Sequence, residues 1–600
     1  MKENDVYKKT EIKTTGTNKT VALETVKSIV YSTDPRDLKN VEKGVPCQAA
    51  CPAGTNIPGY IRCIHEKRYG RAYELNRMYN ILPGVLGRIC TRPCELACRH
   101  GESDLGDSVS ICWLKRAAAD LKSPMHRIVE GLYSPTDKKV VVIGAGPSGL
   151  GAAHELAVMG HRVTIIESYN KPGGMLKYGI PDFRLPEELL NFEIENILRL
   201  GVELKTGIQV GKDILITELT DTYDAVVVAT GCTKPYSMNV PGEDLENVYN
   251  GLDFMKRINL GERPYVGKQV MVIGDGFTAM DCARSAARLG ADEVKINIRK
   301  TEEYMPIDDH EIVEVKYEKI RFYSLVETME IMGANGKVDG VKFSRAKLEY
   351  SKTPPFRKSV VIPNSEFIVP ADSVIAAIGQ KPDLDFIFNG TELTGPFSGS
   401  GKSRFETTLS GVFAAGDCLA GGSNVITAIS SGRECALVVD TFLTGKIRKT
   451  KVVRQEASDN TDRDRTFDFI GRNAMNTLEY PERMIYSNNE VEIGLTADQT
   501  SEESKRCYLC NLKYEIDIQR CIYCSACIDV APRDCIKMIE GIEITDDGAY
   551  GDYQEAKNWS QAAAIYIDNA KCIRCGQCWE VCPVDCISIT KTELIELNHE

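Results

Sequence analysis

Two glycine loops constrain the fold of this chain most strongly, because each follows an apolar strand and opens a helix. Their sequences are Lys139-Val-Val-Val-Ile-Gly-Ala-Gly-Pro-Ser-Gly149 and Gln269-Val-Met-Val-Ile-Gly-Asp-Gly-Phe-Thr-Ala279. A strand, a glycine turn and a helix in this order are typical of a βαβ unit on a parallel sheet. The free N–H groups at the start of such a helix bind a pyrophosphate. The chain is therefore predicted to hold two dinucleotides.

The first loop has the features of a complete dinucleotide site. Gly144 permits the tight turn, Gly146 lets the backbone approach a pyrophosphate, and Gly149 allows close packing of the helix on the strand. Glu167 ends the next strand, where its carboxylate is placed to accept hydrogen bonds from a ribose diol. The alternative for Glu167 is a solvated strand end. Gly174, in the loop that follows, is also expected at the cofactor.

Two later segments indicate that this first dinucleotide is FAD. Tyr223–Gly231 and Gly411–Asp417 are both apolar strands that end in small residues, and a helix follows the second from about Asn424. Here the chain resembles the two-dinucleotide flavoproteins. The resemblance implies that Asp417 binds the ribityl and phosphate region of FAD and that the following helix directs its N-terminus at the isoalloxazine. The residues expected at FAD in these segments are Thr230, Gly231, Gly416, Asp417 and Thr427.

The strand after the second loop ends differently from its counterpart. Arg299 and Lys300 stand where the first unit has an acid. An acid would bind a ribose 2′-hydroxyl and repel a 2′-phosphate, whereas arginine and lysine pair with that phosphate. We therefore expect NADPH rather than NADH; the alternative is that both cations are ordinary surface charges. The residues expected at this site are Gly274, Gly276, Thr278, Ala279, Arg299 and Lys300.

The cysteines indicate iron–sulfur chemistry. There are 22 of them, and most cluster as C-x2-C and C-x3-C, which is the spacing of metal ligands rather than of scattered disulfides. The segment between the two halves of the FAD domain holds only Cys282, so it offers no disulfide of the thioredoxin-reductase kind to accept electrons from a flavin. Metal clusters are therefore the predicted acceptors, and so many oxygen-sensitive thiolates favour an anaerobic setting.

The C-terminal region contains two similar cysteine motifs. The second, Cys572-Ile-Arg-Cys-Gly-Gln-Cys-Trp-Glu-Val-Cys582-Pro, matches the full pattern of bacterial-type two-cluster ferredoxins, which this region resembles. In that fold the fourth cysteine of each motif crosses to the other cluster. One [4Fe–4S] site is accordingly expected from Cys521, Cys524, Cys527 and Cys582.

The first of these motifs departs from the pattern. The fourth cysteine of the first motif should lie at the position of Ala531, but alanine cannot bind iron. The second cluster site therefore has only the three cysteines of the second motif. These are Cys572, Cys575 and Cys578. Cys535 is the candidate for the missing ligand. Its counterpart is Cys586, however, so both are alternatively buried core cysteines. A three-iron cluster or a non-cysteine ligand would also account for the missing thiolate.

Two more cysteine motifs lie near the N-terminus, Pro46-Cys-Gln-Ala-Ala-Cys51-Pro and Gly87-Arg-Ile-Cys-Thr-Arg-Pro-Cys-Glu-Leu-Ala-Cys98. Over about residues 45–450 the chain resembles the small (beta) subunit of glutamate synthase. It also resembles the N-terminal half of dihydropyrimidine dehydrogenase and the large subunit of electron-bifurcating NADH-dependent ferredoxin:NADP oxidoreductase. The resemblance implies two [4Fe–4S] clusters between NADPH-reduced FAD and a partner's active site.

One C-x2-C pair of this family is missing from its usual place before Cys47. Cys507-Tyr-Leu-Cys510 looks like that pair, relocated to a point before the ferredoxin-like region. We therefore expect the 450–505 segment to return to the N-terminal domain. One cluster would use Cys47, Cys98, Cys507 and Cys510, and the other Cys51, Cys90 and Cys94. The alternative for Cys507 and Cys510 is a separate zinc or structural pair.

The fourth ligand of the second N-terminal cluster is open. The resemblance puts a Gln or Glu ligand at the position of Lys115, and a protonated lysine is a poor ligand. Cys112, nearly one helical turn earlier, becomes a candidate. The alternative is that Cys112 is a core cysteine.

The predicted fold class is multidomain α/β. It comprises a helical iron–sulfur domain, two Rossmann-like domains for FAD and NADPH, and a C-terminal α+β ferredoxin domain of the bacterial type. The predicted bounds are a polar arm at 1–45, the helical domain at 46–135, the FAD domain at 136–255 and 375–450, and the NADPH domain at 256–374. A linker or wrapping segment is predicted at 451–505, and the ferredoxin-like domain with its preceding C-x2-C at 506–600.

Charge and hydropathy limit the remaining choices. The net charge is −12, without a long basic run, so nucleic acid is a poor candidate partner. No uncharged apolar run reaches the ~20 residues of a membrane helix, and residues 1–45 lack the apolar region of a signal peptide, so we expect a cytoplasmic protein. No catalytic side chain stands out, because NADPH, FAD and three to four [4Fe–4S] clusters would carry the chemistry.

The expected function is that of an NADP(H)-reactive subunit in an anaerobic, electron-bifurcating ferredoxin:NADP transhydrogenase. Its partners would be ferredoxin and the other flavin or iron–sulfur subunits of a redox complex. One alternative is a glutamate synthase small subunit that passes NADPH electrons to an amidotransferase partner. Another is a stand-alone NADPH-linked electron-transfer protein.

Overall fold

The structure, a computed structural model, describes residues 20–22, 44–102, 106–126, 128, 130–350, 357–384, 404–459, 463–485, 489–544 and 550–599. Most of the expected polar arm at 1–45 lies outside the described residues. Within it, Thr20–Ala22 forms a short antiparallel strand against Ile536–Ile544 of the C-terminal region. The predicted site residues all fall within the described ranges.

Short helices build the N-terminal domain and bring its cysteines together. Asn56 caps one helix by accepting a hydrogen bond from the N–H of Gly59, and a proline follows in the first turn. Gly87 lets two other helices meet, because a Cβ atom there would lie 2.6 Å from Cα of Arg116. The helices are Pro46–Ala49, Ile57–His65, Tyr69–Asn80, Pro83–Ile89, Pro93–Leu96 and Ile111–Leu121.

The FAD domain is built on a parallel five-stranded sheet. The strands in spatial order are Val412–Ala414, Ala225–Val228, Lys139–Ile143, Arg162–Glu167 and Glu203–Thr206. Two helices, Pro147–Val158 and Val425–Thr444, pack together closely because Gly432 faces the backbone of Ser148, where a Cβ atom would lie 2.0 Å from the carbonyl oxygen. The other helices are Met175–Tyr178, Glu187–Leu198, Ile216–Thr222 and Asp417–Ala420.

The NADPH domain repeats this architecture. Its parallel strands, in spatial order, are Arg321–Ser324, Glu293–Ile298, Gln269–Ile273, Ser373–Ala376 and Val248–Asn250. Its helices are Gly251–Asn259, Phe277–Arg288 and Asp309–Tyr317, and an antiparallel sheet of Val326–Ala334, Lys337–Tyr350 and Arg357–Pro370 packs beside it. The expected bounds of 256 and 374 therefore need correction, since the edge strand begins at Val248 and the last strand ends at Ala376.

The C-terminal region has the internal symmetry of a two-cluster ferredoxin. Ile536–Ile544, which follows the first motif, pairs with Ala564–Ile567, which precedes the second. Likewise Ile587–Asn598, which follows the second motif, pairs with Leu512–Ile516, which precedes the first. The remaining elements are the strand Tyr550–Glu555 and the helices Ala526–Val530 and Gln577–Glu580.

The segment expected as a linker or wrapping segment at 451–505 contains several strands and helices. Lys449–Ala457 is a strand that pairs antiparallel with Ile587–Asn598 and so extends the ferredoxin-like sheet, a pairing with residues too distant for local sequence patterns to show. The segment then packs on the N-terminal domain, where Glu503 accepts a 2.8 Å hydrogen bond from the N–H of Ser110. Its other elements are Arg465–Phe469, Asn476–Thr477, Tyr480–Ile485, Glu492–Gly494 and Ala497–Lys505.

Among the described residues, none of the helices combines the length and apolar character that a membrane span requires.

Candidate functional site

A cavity of about 810 Å³ lies at the carboxyl ends of the FAD-domain strands and extends to the second glycine loop. Ligands of open parallel sheets bind at this edge. Residues predicted for both dinucleotides meet in its wall. Those lining it are Gly144, Gly146, Glu167, Gly174, Thr230, Gly231, Thr278 and Asp417.

The glycines of the first loop form a cradle that side chains would fill. A Cβ atom on Gly149 would lie 1.9 Å from the carbonyl oxygen of Gly144. Gly174 has a positive φ of 54°, and a Cβ atom there would lie 2.7 Å from Cα of Gly146. The helix Pro147–Val158 therefore starts close to the strand, with its N–H groups open to a pyrophosphate.

Polar groups of the cavity also suit a dinucleotide. Glu167 is buried, and its carboxylate accepts hydrogen bonds from the N–H of Ala145 at 2.8 Å and of Tyr169 at 2.9 Å. Its burial disfavours the solvated strand end. The hydroxyl oxygens of Ser148 and Thr230 are buried without a hydrogen-bond partner in the described part of the chain. Because buried polar atoms need partners, this cavity fits a polar ligand such as FAD.

The second half of the FAD domain closes the cavity. Asp417 lies in its wall and accepts a hydrogen bond from the hydroxyl of Ser423. The helix Val425–Thr444 begins here, capped by the side chain of Asn424. Thr427 donates both its N–H and its hydroxyl to Asn424 Oδ1, at 3.0 and 2.9 Å, so its polar atoms serve the helix cap.

The second glycine loop has the same geometry. Gly274 has a φ of 149°, and a Cβ atom there would lie 2.2 Å from the carbonyl oxygen of Ala377. The helix Phe277–Arg288 starts after Gly276, and Ala279 is fully buried where the helix approaches the strand. This small residue lets the second helix approach its strand as Gly149 does in the first unit.

The two predicted phosphate-binding cations lie at the rim of this loop. Lys300 Nζ is 2.9 Å from a carboxylate oxygen of Asp275, inside the loop itself. The side chain of Arg299 is 69% exposed, and its Nη1 is 3.6 Å from the carboxylate of Glu327. Both cations are thus available to an anionic ligand, although each currently faces an acid.

A buried ion pair that the sequence did not reveal joins the two dinucleotide domains. Arg184 of the FAD domain donates a 2.8 Å hydrogen bond to Asp281 on the helix of the second loop, and a further one to Glu311. Both Arg184 and Asp281 line the cavity. The pair fixes the orientation of the NADPH domain over the FAD domain.

The cysteines gather in four groups. Among the described residues, no three His, Cys, Asp or Glu side chains lie close enough to hold a single metal ion. The first group surrounds one small cavity and combines residues from both ends of the sequence. Its members are Cys47, Cys98, Cys507 and Cys510.

The second group surrounds a buried lysine. Burial opposes the charge of Lys115, but electrostatic attraction toward Cys90, Cys112, Cys94 and Cys51 outweighs it and raises the lysine pKa. Cys112 is almost fully buried, and its thiol donates to the carbonyl oxygen of Leu86 at 3.2 Å. Cys112 also hydrogen-bonds Cys90, which lowers the pKa of the Cys90 thiol.

The third and fourth groups lie in the ferredoxin-like domain. The third group lines a small cavity together with Ala531 and consists of Cys535, Cys572, Cys575 and Cys578. The fourth lines another and consists of Cys521, Cys524, Cys527, Cys582 and Cys586. Four thiols around one cavity are the donor set of a [4Fe–4S] cluster, so both cavities fit this group.

The four groups form a line away from the flavin cavity. Ile89 and Thr91, which flank Cys90, line that cavity, and the carbonyl of Pro52, next to Cys51, accepts a 2.7 Å hydrogen bond from Ser430 of the FAD domain. Cys94 of the second group lies near Cys47 of the first, since each belongs to one buried cluster of side chains. The line ends at Cys524, which is exposed.

Comparison with known proteins gives three matches to family models. They are pyridine nucleotide-disulphide oxidoreductase over residues 138–432, the 4Fe-4S cluster domain II of dihydropyrimidine dehydrogenase over residues 40–127, and a 4Fe-4S binding domain over residues 565–588.

Full-length relatives extend these matches. The chain is 34% identical over 527 residues to the NADPH-Fe(3+) oxidoreductase subunit beta of Geobacter sulfurreducens, covering 80% of this chain and 78% of that protein. It is 34% identical over 411 residues to the glutamate synthase [NADPH] small chain of Escherichia coli, covering 65% of this chain and 87% of the relative. The chain belongs to the glutamate synthase small-chain family.

This membership confirms the expected resemblance and the expected multidomain α/β fold class. The pyridine nucleotide-disulphide oxidoreductase and 4Fe-4S models support an NADPH-dependent oxidoreductase with an FAD- and NADP-binding domain and [4Fe–4S] domains. A further relative is the NADP(+)-dependent formate dehydrogenase subunit beta of Moorella thermoacetica, 37% identical over 425 residues, or 66% of this chain. The chain spans 60% of the length of that relative.

Proposed function

We propose that the protein is the NADP(H)-reactive subunit of a cytoplasmic, anaerobic ferredoxin:NADP transhydrogenase complex that bifurcates electrons. The observation that supports this is the line of four cysteine groups between the flavin cavity and the exposed Cys524. When bound, FAD exchanges a hydride with NADPH and single electrons with iron–sulfur clusters. A chain with both kinds of centre therefore connects a two-electron carrier to one-electron partners such as ferredoxin.

The proposed ligands follow the four cysteine groups. Cys47, Cys98, Cys507 and Cys510 surround one cavity, which supports the relocated C-x2-C over a separate zinc pair. Cys51, Cys90 and Cys94 would bind the cluster nearest the flavin. Lys115 stands where the resemblance implies a ligand, and its positive charge compensates the negative charge of the thiolates.

The symmetry of the ferredoxin-like domain supports Cys535 as the missing ligand. At the cluster site whose four cysteine ligands are all present, the Sγ atoms of Cys582 and Cys586 are 3.4 Å apart. In the other half, Ala531 leaves the ligand position without sulfur, and Cys535 lines the same cavity as Cys572, to which it hydrogen-bonds. Cys535 is thus the thiol that is placed to complete this site, whereas Cys586 accompanies a ligand that is already present.

The dinucleotide site would position NADPH over the flavin. The open N-termini of the helices Pro147–Val158 and Phe277–Arg288 would bind the two pyrophosphates, and Arg299 with Lys300 would bind the 2′-phosphate. The ion pair of Arg184 with Asp281 keeps the second domain oriented toward the cavity. Position and electrostatics are what the protein contributes.

An anaerobic assay of the purified chain tests the proposal. NADPH would be supplied with oxidised ferredoxin, with and without NAD+ as the second electron acceptor and with and without the subunits that co-purify. When the complex bifurcates, we expect ferredoxin reduction to depend on NAD+ and on the partner subunits, because NAD+ takes the second electron of each pair that leaves NADPH. Glutamate formation from glutamine and 2-oxoglutarate would overturn the proposal. Ferredoxin reduction by the isolated chain with NADPH alone would indicate the stand-alone electron-transfer protein.

The second candidate is a beta subunit that exchanges electrons with a separate catalytic subunit. The specific observation for it is the similarity to two proteins named as beta subunits, of an NADPH-Fe(3+) oxidoreductase and of an NADP(+)-dependent formate dehydrogenase. The subunit that co-purifies distinguishes the candidates. A partner that acts on formate or on ferric iron, and not on ferredoxin, would favour this second function.

A further inference from the structure

A buried arginine lies between the first and third cysteine groups. Arg463 Nη1 donates a 2.7 Å hydrogen bond to the carbonyl oxygen of Ile573, and its Nε donates a 3.2 Å hydrogen bond to the carbonyl oxygen of Cys507. Ile573 directly follows Cys572 in the sequence. One guanidinium group therefore contacts the ligand loops of two cysteine groups, and its side chain is only 2% exposed.

The guanidinium of Arg463 also faces a carboxylate. Asp468 is 3.9 Å from it and accepts a 2.8 Å hydrogen bond from Arg533 and a 2.7 Å one from the hydroxyl of Tyr508. The ring of Tyr508 packs against the guanidinium, 4.8 Å from centre to centre. Two arginines thus meet at one carboxylate beside the cysteines.

Burial of this charge is costly, and the cysteines are among the groups that offset it. Burial lowers the pKa of Arg463, while Tyr508, Asp468, Cys507 and Cys575 act to raise it. The cysteines named here belong to different groups, one to the first and one to the third. The guanidinium of Arg463 therefore lies close to both sites across the boundary between two domains.

A second arginine crosses the same boundary without this double contact. Arg99, next to Cys98, donates a 3.1 Å hydrogen bond to the carbonyl oxygen of Asn569. That hydrogen bond joins a side chain of the N-terminal domain to the backbone of the ferredoxin-like domain. Arg463 donates to a carbonyl oxygen in each of the two ligand loops.

We propose that Arg463 is a positioning residue that fixes the Cys507 and Cys572 ligand loops relative to each other and raises the reduction potentials of both clusters. This inference rests on the cluster ligands given under the proposed function. Reduction adds one negative charge to a cluster, and a nearby buried cation stabilises the reduced form because the local dielectric is low. Groups that hydrogen-bond around the ligands also set their orientation.

Substitution of Arg463 tests this inference. Arg463→Gln removes the positive charge and keeps a hydrogen-bond donor. Arg463→Lys keeps the charge and loses the pair of hydrogen bonds to the two loops. Arg465→Gln, at an exposed position two residues later, is the control. Each protein would be purified anaerobically, analysed for iron, and titrated redox-potentiometrically with EPR detection. The expected result for Arg463→Gln is full iron content with two of the cluster potentials shifted downward together and the others unchanged.

The other variants separate charge from position. Arg463→Lys is expected to keep both potentials near those of the wild type but to weaken the magnetic interaction between the two reduced clusters. Unchanged potentials in Arg463→Gln at full iron content, or an equal shift in Arg465→Gln, would overturn the inference. If Arg463→Gln loses iron, the test rests on Arg463→Lys. Unchanged potentials together with an unchanged magnetic interaction in Arg463→Lys would also overturn the inference.

A separate variant tests the proposed cluster ligands themselves. Cys507→Ala in the same titration is expected to remove one N-terminal cluster signal and about four iron ions. If this variant keeps all of its iron and signals, then the ligand sets are wrong, whatever the arginine variants show.

Discussion

Single residues decide how closely the backbone can approach a dinucleotide. In the first loop the critical contact is between Gly149 and the carbonyl oxygen of Gly144, where a Cβ atom would lie 1.9 Å away. Relief of that overlap would need the helix Pro147–Val158 to move away from the strand. The pyrophosphate would then lose the N–H groups at the start of the helix.

We therefore expect Gly149→Ala to lose FAD. The flavin absorbance of the purified variant should fall at least about tenfold relative to protein, which corresponds to a loss of about 1.4 kcal/mol of binding free energy or more. Gly422→Ala is the control, since Gly422 lines the same cavity and a Cβ atom there meets nothing within 4 Å. Normal flavin content in the Gly149 variant would contradict the position of the cofactor.

The asymmetry between the two ferredoxin-like motifs also rests on single thiols. Cys535→Ser is expected to convert the cluster held by Cys572, Cys575 and Cys578 to a three-iron form or to remove it, with a corresponding change in EPR spectrum and iron content. Cys586→Ser is the matched control, because Cys586 is the symmetric residue beside a complete ligand set. If both variants behave alike, Cys535 is a core cysteine.

The cations at the second loop should determine the choice of nucleotide. Arg299→Ser with Lys300→Ser is expected to raise the KM for NADPH by about tenfold or more and to leave the KM for NADH almost unchanged, because the 2′-phosphate loses its partners. Steady-state kinetics with a dye acceptor measures this. Arg321→Ser is the control, since that side chain is 74% exposed at the far end of the neighbouring strand. Equal effects on both nucleotides would argue against the 2′-phosphate contact.

Among the structural elements, the strand Glu492–Gly494 holds two domains together. Glu492 accepts a 2.9 Å hydrogen bond from His310 of the NADPH domain, and its carbonyl oxygen accepts a 2.7 Å hydrogen bond from Arg116 of the N-terminal domain. Arg88 donates a 2.6 Å hydrogen bond to the neighbouring Glu490. The strand thus connects the cysteine domain to the nucleotide domain from outside the cavity.

The stability contributed by the ion pair between His310 and Glu492 should depend on pH. Burial alone would lower the pKa of His310, but the carboxylate of Glu492 outweighs it, so the pKa is raised in the folded protein. The ion pair therefore contributes its full stability below the unfolded histidine pKa of about 6.5 and loses it as the pH rises through the higher folded value. We expect the Tm of the wild type to exceed that of His310→Gln at pH about 6, and the difference to shrink by pH about 9.

Thermal unfolding of both proteins across this range measures the effect. Glu492→Gln should show the same loss of pH dependence, because it removes the other half of the pair. A constant difference between wild type and His310→Gln at every pH would mean that the contact is a neutral hydrogen bond.

The elements also show where prediction from sequence succeeds and where it stops. The glycine loops and cysteine motifs are local patterns, so they predicted the order of the modules, whereas the relocated pair at Cys507 and Cys510 stays a prediction. The strand Lys449–Ala457 falls mostly in the segment expected as a linker or wrapping segment. It could not be foreseen, because its partner strand, Ile587–Asn598, lies far along the chain. Arg184 and Arg463 carried no signal in the sequence, since their partners are set only by the tertiary fold.

At the scale of the whole molecule, the cysteine groups and the flavin cavity form one connected system. The first group combines cysteines of the N-terminal domain with Cys507 and Cys510. Arg463 contacts both the first and the third group. The fourth group includes Cys524, which is exposed at the surface. With FAD and the clusters bound, the sites proposed for them would follow one another within a single chain.

We expect the anaerobically purified protein to contain one FAD and about sixteen iron ions, four for each of four clusters. Colorimetric iron and sulfide analysis with flavin release measures this. Reconstitution with iron and sulfide before analysis controls for loss during purification. About twelve iron ions after reconstitution, with Cys535→Ser unchanged, would show that one of the four cysteine groups binds no cluster.

The first cysteine group also has a consequence for how the protein is made. Its ligands would come from Cys47 and Cys98 near one end of the sequence and from Cys507 and Cys510 near the other. A ribosome must therefore synthesise the whole stretch from Cys47 to Cys510 before this pocket can close, and closing so long a loop carries an entropic cost at that step. Iron delivery to this pocket would follow the synthesis of Cys510, so a nascent chain interrupted before that residue would leave Cys47 and Cys98 exposed to oxidation.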